Sequence, residues 1–183
     1  MIDKKILLHT CCAPCLTSSK ERLDDEHIES VIFWYNPNIE PKEEHDKRLH
    51  TLCEYLNADK GSIHTICDYD YEAENKLWHE YIKGLENEPE RGQRCRKCIE
   101  FRLKRTAEKA KILGIDFATT LTVSPHKNSK EIFETGAKIT ENSSVKFFEI
   151  DFKKKDGYKR SIEICKELGL YRQSYCGCSY SER

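Results

Sequence analysis

Along the chain, short dense apolar runs alternate with longer stretches whose apolar residues recur at helical spacing. Lys5–His9 (KILLH) and Val31–Tyr35 (VIFWY) read as buried strands, the second closed by Asn36-Pro37-Asn38. Ser62–Cys67, Phe117–Val123 and Val145–Ile150 read as further strands. Pro14 stands where a first-turn helix proline belongs, so a helix is expected from there to about Leu23. Pro41 opens a second helix with an apolar stripe of Leu49, Leu52, Cys53 and Leu56. Leu77, Trp78, Tyr81, Ile82 and Leu85 mark a third helix face, and Ile99, Leu103, Ala107 and Ala110 stripe a long basic helix that stops at Gly114. A helix carrying Ile132, Phe133 and Ala137 precedes the last strand. Ile162, Cys165 and Leu168 lie on a final helix that ends near Gly169 and leaves a Cys-rich C-terminal tail. This alternation predicts an α/β fold, a parallel sheet with helices on both faces, in a single domain over 1–183. Ligands of such sheets sit beyond the carboxyl ends of the strands, and His9-Thr10-Cys11-Cys12 follows the first strand there.

Composition changes how the cysteines are read. A chain of 183 residues can bury its own core, so its ten cysteines are not needed as staples. Met1-Ile2-Asp3-Lys4-Lys5 runs straight into a strand without a signal-peptide apolar region, and no apolar run approaches the roughly 18 residues of a membrane span. A cytoplasmic protein without a membrane partner is expected, and clustered cysteines in a reducing compartment point to metal or catalysis. The net charge of −1 is uninformative, but its distribution is not. Arg91–Arg105 holds seven Lys/Arg and one Glu, and Asp151–Arg160 holds five Lys/Arg and two Asp. Such patches suit a polyanion gripped at one face; a solvated helix surface is the alternative.

Three cysteines read as packing. Cys53 and Cys165 fall on apolar helix stripes and Cys67 ends a strand, so each is expected to be a small buried hydrophobe. The other seven form close groups: Cys11, Cys12 and Cys15 (CCxxC) in a strand-to-helix turn, Cys95 and Cys98 (CxxC) at a helix start, and Cys176 and Cys178 (CxC) in the tail. Arg94, Arg96 and Lys97 at that helix start would favour thiolates. Structural zinc and an iron–sulfur cluster each take four such ligands. Seven thiols in three groups exceed one closed zinc site, and a cluster beside an open metal accounts for all three. Adjacent residues chelate one ion awkwardly, so Cys11 and Cys12 are expected to face different centres, and Cys15 is the least constrained ligand.

Other constellations are weaker. The loop after the first strand reads HTCCAPC and has no glycine, which disfavours a phosphate-cradling loop. Thr119–Asn128 (TTLTVSPHKN) offers His126 and Lys127 to a substrate, or is a helix start capped by Asn128 or Ser129. Asp68-Tyr69-Asp70 offers carboxylates for proton transfer or a hard metal, or is merely solvated. Tyr171, Arg172, Tyr175 and Tyr180 could stack on an extruded base or pack the tail down.

Taken together, LLHTCCAPC (7–15), NPNIEP (36–41), DYD (68–70), GLENEPERGQRCRKC (84–98), TTLTVSPHKN (119–128), DFKKKDGYKRS (151–161) and YRQSYCGCSYS (171–181) resemble the cobalamin-independent epoxyqueuosine reductases, the QueH family. The resemblance runs nearly the whole chain in order. It implies a Rossmann-like (HUP-type) architecture and the last step of queuosine formation, reduction of the epoxide at the tRNA wobble base. It also implies a [4Fe–4S] cluster on cysteines drawn from Cys11, Cys12, Cys95, Cys98, Cys176 and Cys178. A second mononuclear iron, held by the surplus thiolates with Cys15 and Asp70 as candidates, would be a Lewis acid for the epoxide oxygen. Asp70, Tyr69 and His126 are the candidate proton donors. Arg91, Arg94, Arg96, Lys153, Lys154, Lys155, Arg160 and Arg172 are the candidate contacts to the anticodon stem-loop, and an external electron donor is required. The alternatives are a zinc-stabilised RNA-binding module and a cluster-dependent tRNA-thiolating enzyme. The thiolating enzyme would need a glycine-rich SGGxDS loop that this chain lacks.

Overall fold

A computed structural model describes residues 4–58 and 65–181. Four parallel strands form one sheet: β1 (Lys4–Thr10), β2 (Ile28–Trp34), β3 (Thr65–Ile66) and β4 (Asp116–Thr119), in the order β3-β2-β1-β4. The helices are α1 (Ala13–Asp25), α2 (Lys42–Ala58), α3 (Tyr71–Tyr81), α4 (Gln93–Leu113), α5 (Ser129–Thr140) and α6 (Gly157–Glu167). The middles of β1 (Ile6–Leu8) and β2 (Val31–Trp34) are apolar on both sides because both sheet faces are covered. Alternate side chains serve opposite cores. Leu7, Val31, Phe33 and Phe117 pack with Trp78, Ile99, Leu103 and Ile132 on the α3–α4–α5 side. Ile6, Leu8, Ile32, Trp34 and Ala118 pack with Leu16, Leu23, Leu52 and Tyr55 on the α1–α2 side. The chain runs outward from β1 to β2 and β3, then crosses to β4 on the other side of β1. The crevice between the carboxyl ends of β1 and β4 is therefore the topological switch point, the position where such folds bind ligands. Among the described residues no helix is long and apolar enough to cross a membrane.

The expected α/β class is observed, and several details differ. The strand expected over Phe117–Val123 ends at Thr119, whose hydroxyl accepts from Leu121 N (3.2 Å) and turns Thr120–Val123 into a 3-10 turn. That leaves Val145–Ile150 too short a partner. Only Phe147 bridges to Phe117, through Phe117 N to Lys146 O (3.1 Å) and Phe148 N to Phe117 O (2.7 Å). Of the strand expected at Ser62–Cys67, residues 62–64 lie outside the described residues and Thr65–Ile66 forms β3. The stripe expected on α2 is rotated: its buried positions are His45, Arg48, Thr51, Leu52 and Tyr55, with Leu49 and Leu56 half-buried. Three polar residues, His45, Arg48 and Thr51, took inner positions, so Cys53 is exposed rather than packed, and Cys67 at the sheet edge is exposed as well. Cys165 is buried as expected.

Candidate active site

The three cysteine groups arrive at the switch point from separate elements. Cys11 and Cys12 leave the end of β1, and Cys12 caps α1, its sulfur accepting from Cys15 N (3.4 Å). The first turn of α1 brings Cys15 back over the cap, so the Cys11, Cys12 and Cys15 sulfurs lie within 4.8 Å of one another. The Cys11 and Cys12 sulfurs are thus near enough to share one ion, and Cys15 joins them. Cys95 and Cys98 sit on the first turns of α4, and Cys176 and Cys178 on the tail. Cys11, Cys15, Cys95, Cys98, Cys176 and Cys178 all line one cleft of about 920 Å³.

The tail is held by residues whose role sequence patterns did not suggest. Arg48, 2% exposed, donates through Nη1 to Cys176 O (3.1 Å) and through Nη2 to Tyr175 O (3.3 Å). Its Nε is fixed on Glu44 (2.6 Å). Glu40 N donates to Gly177 O (2.8 Å) and Tyr175 Oη to Glu40 O (2.7 Å). Asn36, fully buried, donates from Nδ2 to Thr10 O (2.8 Å) and accepts from Arg102 Nη1 (3.4 Å), tying β1, β2 and α4 together beside the cysteines.

Cationic groups meet the sulfurs directly. Lys127 Nζ lies 3.6 Å from Cys176 Sγ and holds that thiol below its ordinary pKa. Arg102 is 3% exposed; its burial works against the charge, and the thiols of Cys98, Cys176, Cys11 and Cys178 favour it. Cys11 is the acidic member of its trio, because hydrogen bonds from Cys12 and Cys15 and the charge of Lys127 stabilise its thiolate. Cys12 is correspondingly pushed up to about 12 by donating to Cys11. Thr120 Oγ1 accepts from Cys11 N (3.1 Å) and donates to Cys11 Sγ (3.4 Å). The helix start does not by itself acidify Cys95 and Cys98, since burial pushes both upward. Arg91, at φ 71°, adopts the left-handed backbone that aims its N–H at Cys95 Sγ (3.2 Å). Beneath Cys11, buried His9 donates from Nε2 to Tyr35 O (3.1 Å) and accepts at Nδ1 from Thr119 (2.8 Å). Burial and the Arg102 charge lower its pKa to about 4, so the ring is neutral.

The other expected residues divide. His126 lines the cleft mouth, its Nδ1 accepting from Arg91 Nη2 (2.9 Å), and Arg91, Arg96 and Arg172 line the same cleft. Asp70 does not reach it: the carboxylate accepts from Ala73 N (3.0 Å) as the N-cap of α3, on the far side of β2. That position gives it no part in a metal site beside the cysteines. Tyr69 is likewise absent from the cleft walls; its hydroxyl donates to His45 Nε2 (2.6 Å) and accepts from Asn36 N (3.1 Å). Its pKa is raised by burial, so it keeps its proton in a supporting role. Arg94, 2% exposed, is turned inward onto the carbonyls of Leu85, Glu86 and Glu88 and is not free for a phosphate. Arg96 is paired with Glu131, Lys155 with Glu26, and Arg160 with Glu21, Glu163 and Glu167. Lys153 spends its ammonium on Ser124 O and Lys127 O, and Lys154 is exposed. Asn128 caps α5 by accepting from Lys130 N (3.0 Å), so His126 and Lys127 sit just ahead of that helix.

The donor set fits a thiolate-bound metal group. Thiols converge from three elements, buried cations offset their charge, and Trp78 Nε1, buried at the cleft wall, has no nitrogen or oxygen acceptor among the described residues and favours the Cys98 thiolate. Such N–H groups can donate to sulfur.

A family model described as Epoxyqueuosine reductase QueH matches residues 6–183. Among curated proteins of that name, the one from Streptococcus pyogenes serotype M1 is 41% identical over 186 residues, covering 100% of this chain and 72% of the relative. The one from Staphylococcus epidermidis is 39% identical over 181 residues, covering 97% and 76%. The one from Thermotoga maritima is 38% identical over 177 residues, covering 96% and 89%.

Proposed function

The chain belongs to the epoxyqueuosine reductase QueH family, and we propose that it reduces epoxyqueuosine at the wobble position of a tRNA anticodon to queuosine. Both C–O bonds of the epoxide break, a C=C bond forms, and the oxygen leaves as water, which takes two electrons and two protons from outside the substrate. The convergence of three cysteine groups on one cleft at the switch point is the observation that carries this reading. Seven thiols exceed the four that one [4Fe–4S] cluster needs, so they support a cluster with a second iron beside it. When bound, the cluster supplies electrons one at a time from an external donor, and the second iron supplies a Lewis acid for the epoxide oxygen.

The chain's own residues do the rest. Arg102 and Lys127 keep a group of thiolates tolerable in a partly buried cleft. His126 receives a hydrogen bond at Nδ1, so its ring proton sits on Nε2, and we assign it delivery of a proton to the leaving oxygen. Arg91 and Arg172 at the cleft walls grip anticodon-loop phosphates, with Lys154 further out. A reducing compartment such as the cytoplasm keeps the thiols available.

The test is anaerobic reconstitution, iron and sulfide analysis, and assay on epoxyqueuosine-containing tRNA with dithionite, reading loss of one oxygen from the base by mass spectrometry. Turnover with more than four irons per chain supports two centres. Full activity with four or fewer removes the second iron. A colourless zinc protein that binds RNA without turnover overturns the whole reading.

A further inference from the structure

Outside the cysteine cleft, a second concavity of about 520 Å³ lies between α4 and α5. Its walls carry Arg96, Lys97, Lys104 and Lys111 from α4 and Lys138 from α5, against Glu100 and Glu108; with Arg96 paired to Glu131, two positive charges remain in excess. Lys97, Lys104 and Lys111 recur every seventh residue, two helical turns or about 10.5 Å apart, so they share one stripe of α4. Glu100 serves both Lys97 and Lys104 (2.9 Å each) and so offsets only one of them. Lys111 and Lys138 are exposed. Ala107 keeps the floor shallow between these cations.

We propose that this groove takes the phosphodiester backbone of the tRNA stem that flanks the anticodon loop. The proposal rests on the reading of tRNA as substrate. Continuity favours it: Arg96, held by Glu131, and α4 wall both the cysteine cleft and the groove, so a strand leaving the cleft follows α4 directly into the groove. From Arg96 to Lys111 the stripe spans about 22 Å, far more than one nucleotide requires. An acidic protein electron donor would also suit the charge, but it must approach the cysteines, and the groove leads away from them along α4. The groove then supplies sequence-independent affinity while the cleft selects the base.

The experiment measures binding of an unmodified tRNA transcript to reconstituted enzyme across a salt series, for the wild type, for Lys111→Glu/Lys138→Glu, and for the charge-matched control Lys76→Glu/Lys166→Glu. Each lost phosphate contact removes about 0.7–0.9 from the log–log salt slope, which at 0.1 M salt is about a fivefold to eightfold loss in affinity. The groove variant is therefore expected to bind roughly 25- to 60-fold more weakly, with the slope reduced by about 1.4–1.8. Turnover of epoxyqueuosine tRNA with dithionite should show a raised KM and an unchanged kcat. Affinity and slope equal to those of the control overturn the groove assignment while wild-type binding stands. Failure of the wild type to bind tRNA at all overturns the functional reading beneath it.

Discussion

Replacing Gly177 by alanine should cost the proposed metal site its ligands from the tail while leaving the fold standing. Gly177 lies between Cys176 and Cys178 at φ +131°, a backbone region that L side chains rarely adopt. A Cβ there would come within 3.0 Å of both Arg48 Nη1 and Ile39 Cγ1. Neither neighbour can withdraw easily: Ile39 is 2% exposed, and Arg48 is held by Glu44 and by the carbonyls of Tyr175 and Cys176. The backbone strain costs about 1–3 kcal/mol and the overpacking a similar amount, so the native tail loses about 2–6 kcal/mol. At about 1.4 kcal/mol per factor of ten, that moves the tail's local equilibrium by roughly 30-fold or more. The strand pairing of the sheet does not run through the tail, which adds only Cys178 and Tyr180 to the α3–α4–α5 core, so the loss is mainly local. Iron and sulfide per chain after anaerobic reconstitution, and turnover, should both collapse, while the Tm of the metal-free protein moves by no more than about 4 °C. Gly114→Ala is the control. It has φ +66° with nothing within 4 Å, so it carries the backbone cost alone, at the end of α4 away from Cys95. It should lower Tm by a few degrees and keep its iron. A Gly177→Ala enzyme with wild-type iron content and turnover would refute the argument.

Three further outcomes are expected. Asp70→Asn keeps a residue that caps helices as well as aspartate does, so Tm and turnover should stay at wild-type values; loss of iron or of kcat would restore Asp70 to the metal site. Thr120→Val removes the hydroxyl that donates to Cys11 Sγ, which should lower the midpoint potential of the reconstituted metal centre in a redox titration, with Thr120→Ser restoring it. For metal-free protein, His9 has its pKa lowered to about 4 from 6.5, and burial lowers that of His45 too, so the unfolded chain binds more protons than the folded one. Stability should therefore fall as pH drops from about 6.5 towards 4, by about 3 kcal/mol for His9 alone. Thermal melts of His9→Gln should show a flatter pH profile, and an unchanged profile counts against the assignment.

The elements whose apolar period is clean were legible in the sequence. β1, β2, α4 and its stop at Gly114, and the burial of Cys165 follow from one-dimensional patterns because both faces of a parallel sheet must be covered. The pattern misled where polar residues work inside. On α2 the inner face is set by His45, which binds Trp34 Nε1 (3.1 Å) and Tyr69, and by Arg48 beneath the tail. A reading that places only apolar residues inward rotates the helix and buries Cys53 wrongly. The same error ran the other way in the basic stretch of α4. Counted along the chain, Arg94, Arg96 and Arg102 look alike, yet Arg94 caps carbonyls, Arg96 meets Glu131 at the surface, and Arg102 is sealed beside the thiols.

That division of the α4 arginines follows from the cysteines themselves. A thiolate brought out of water is tolerated only when opposite charge or hydrogen-bond donors come with it, so six thiols lining one cleft require buried partners. Arg102 lies seven residues after Cys95 and four after Cys98, hence on the same face of α4 and turned to the same cleft. Arg96 lies one residue after Cys95 and is rotated away by about 100°, which sends it to the rim where the cleft meets the outer groove. One helix thus presents two metal-ligand candidates and their counter-charge inward and a row of lysines outward. The cysteine spacing that marks the site also fixes which cations serve it and which remain for a polyanion.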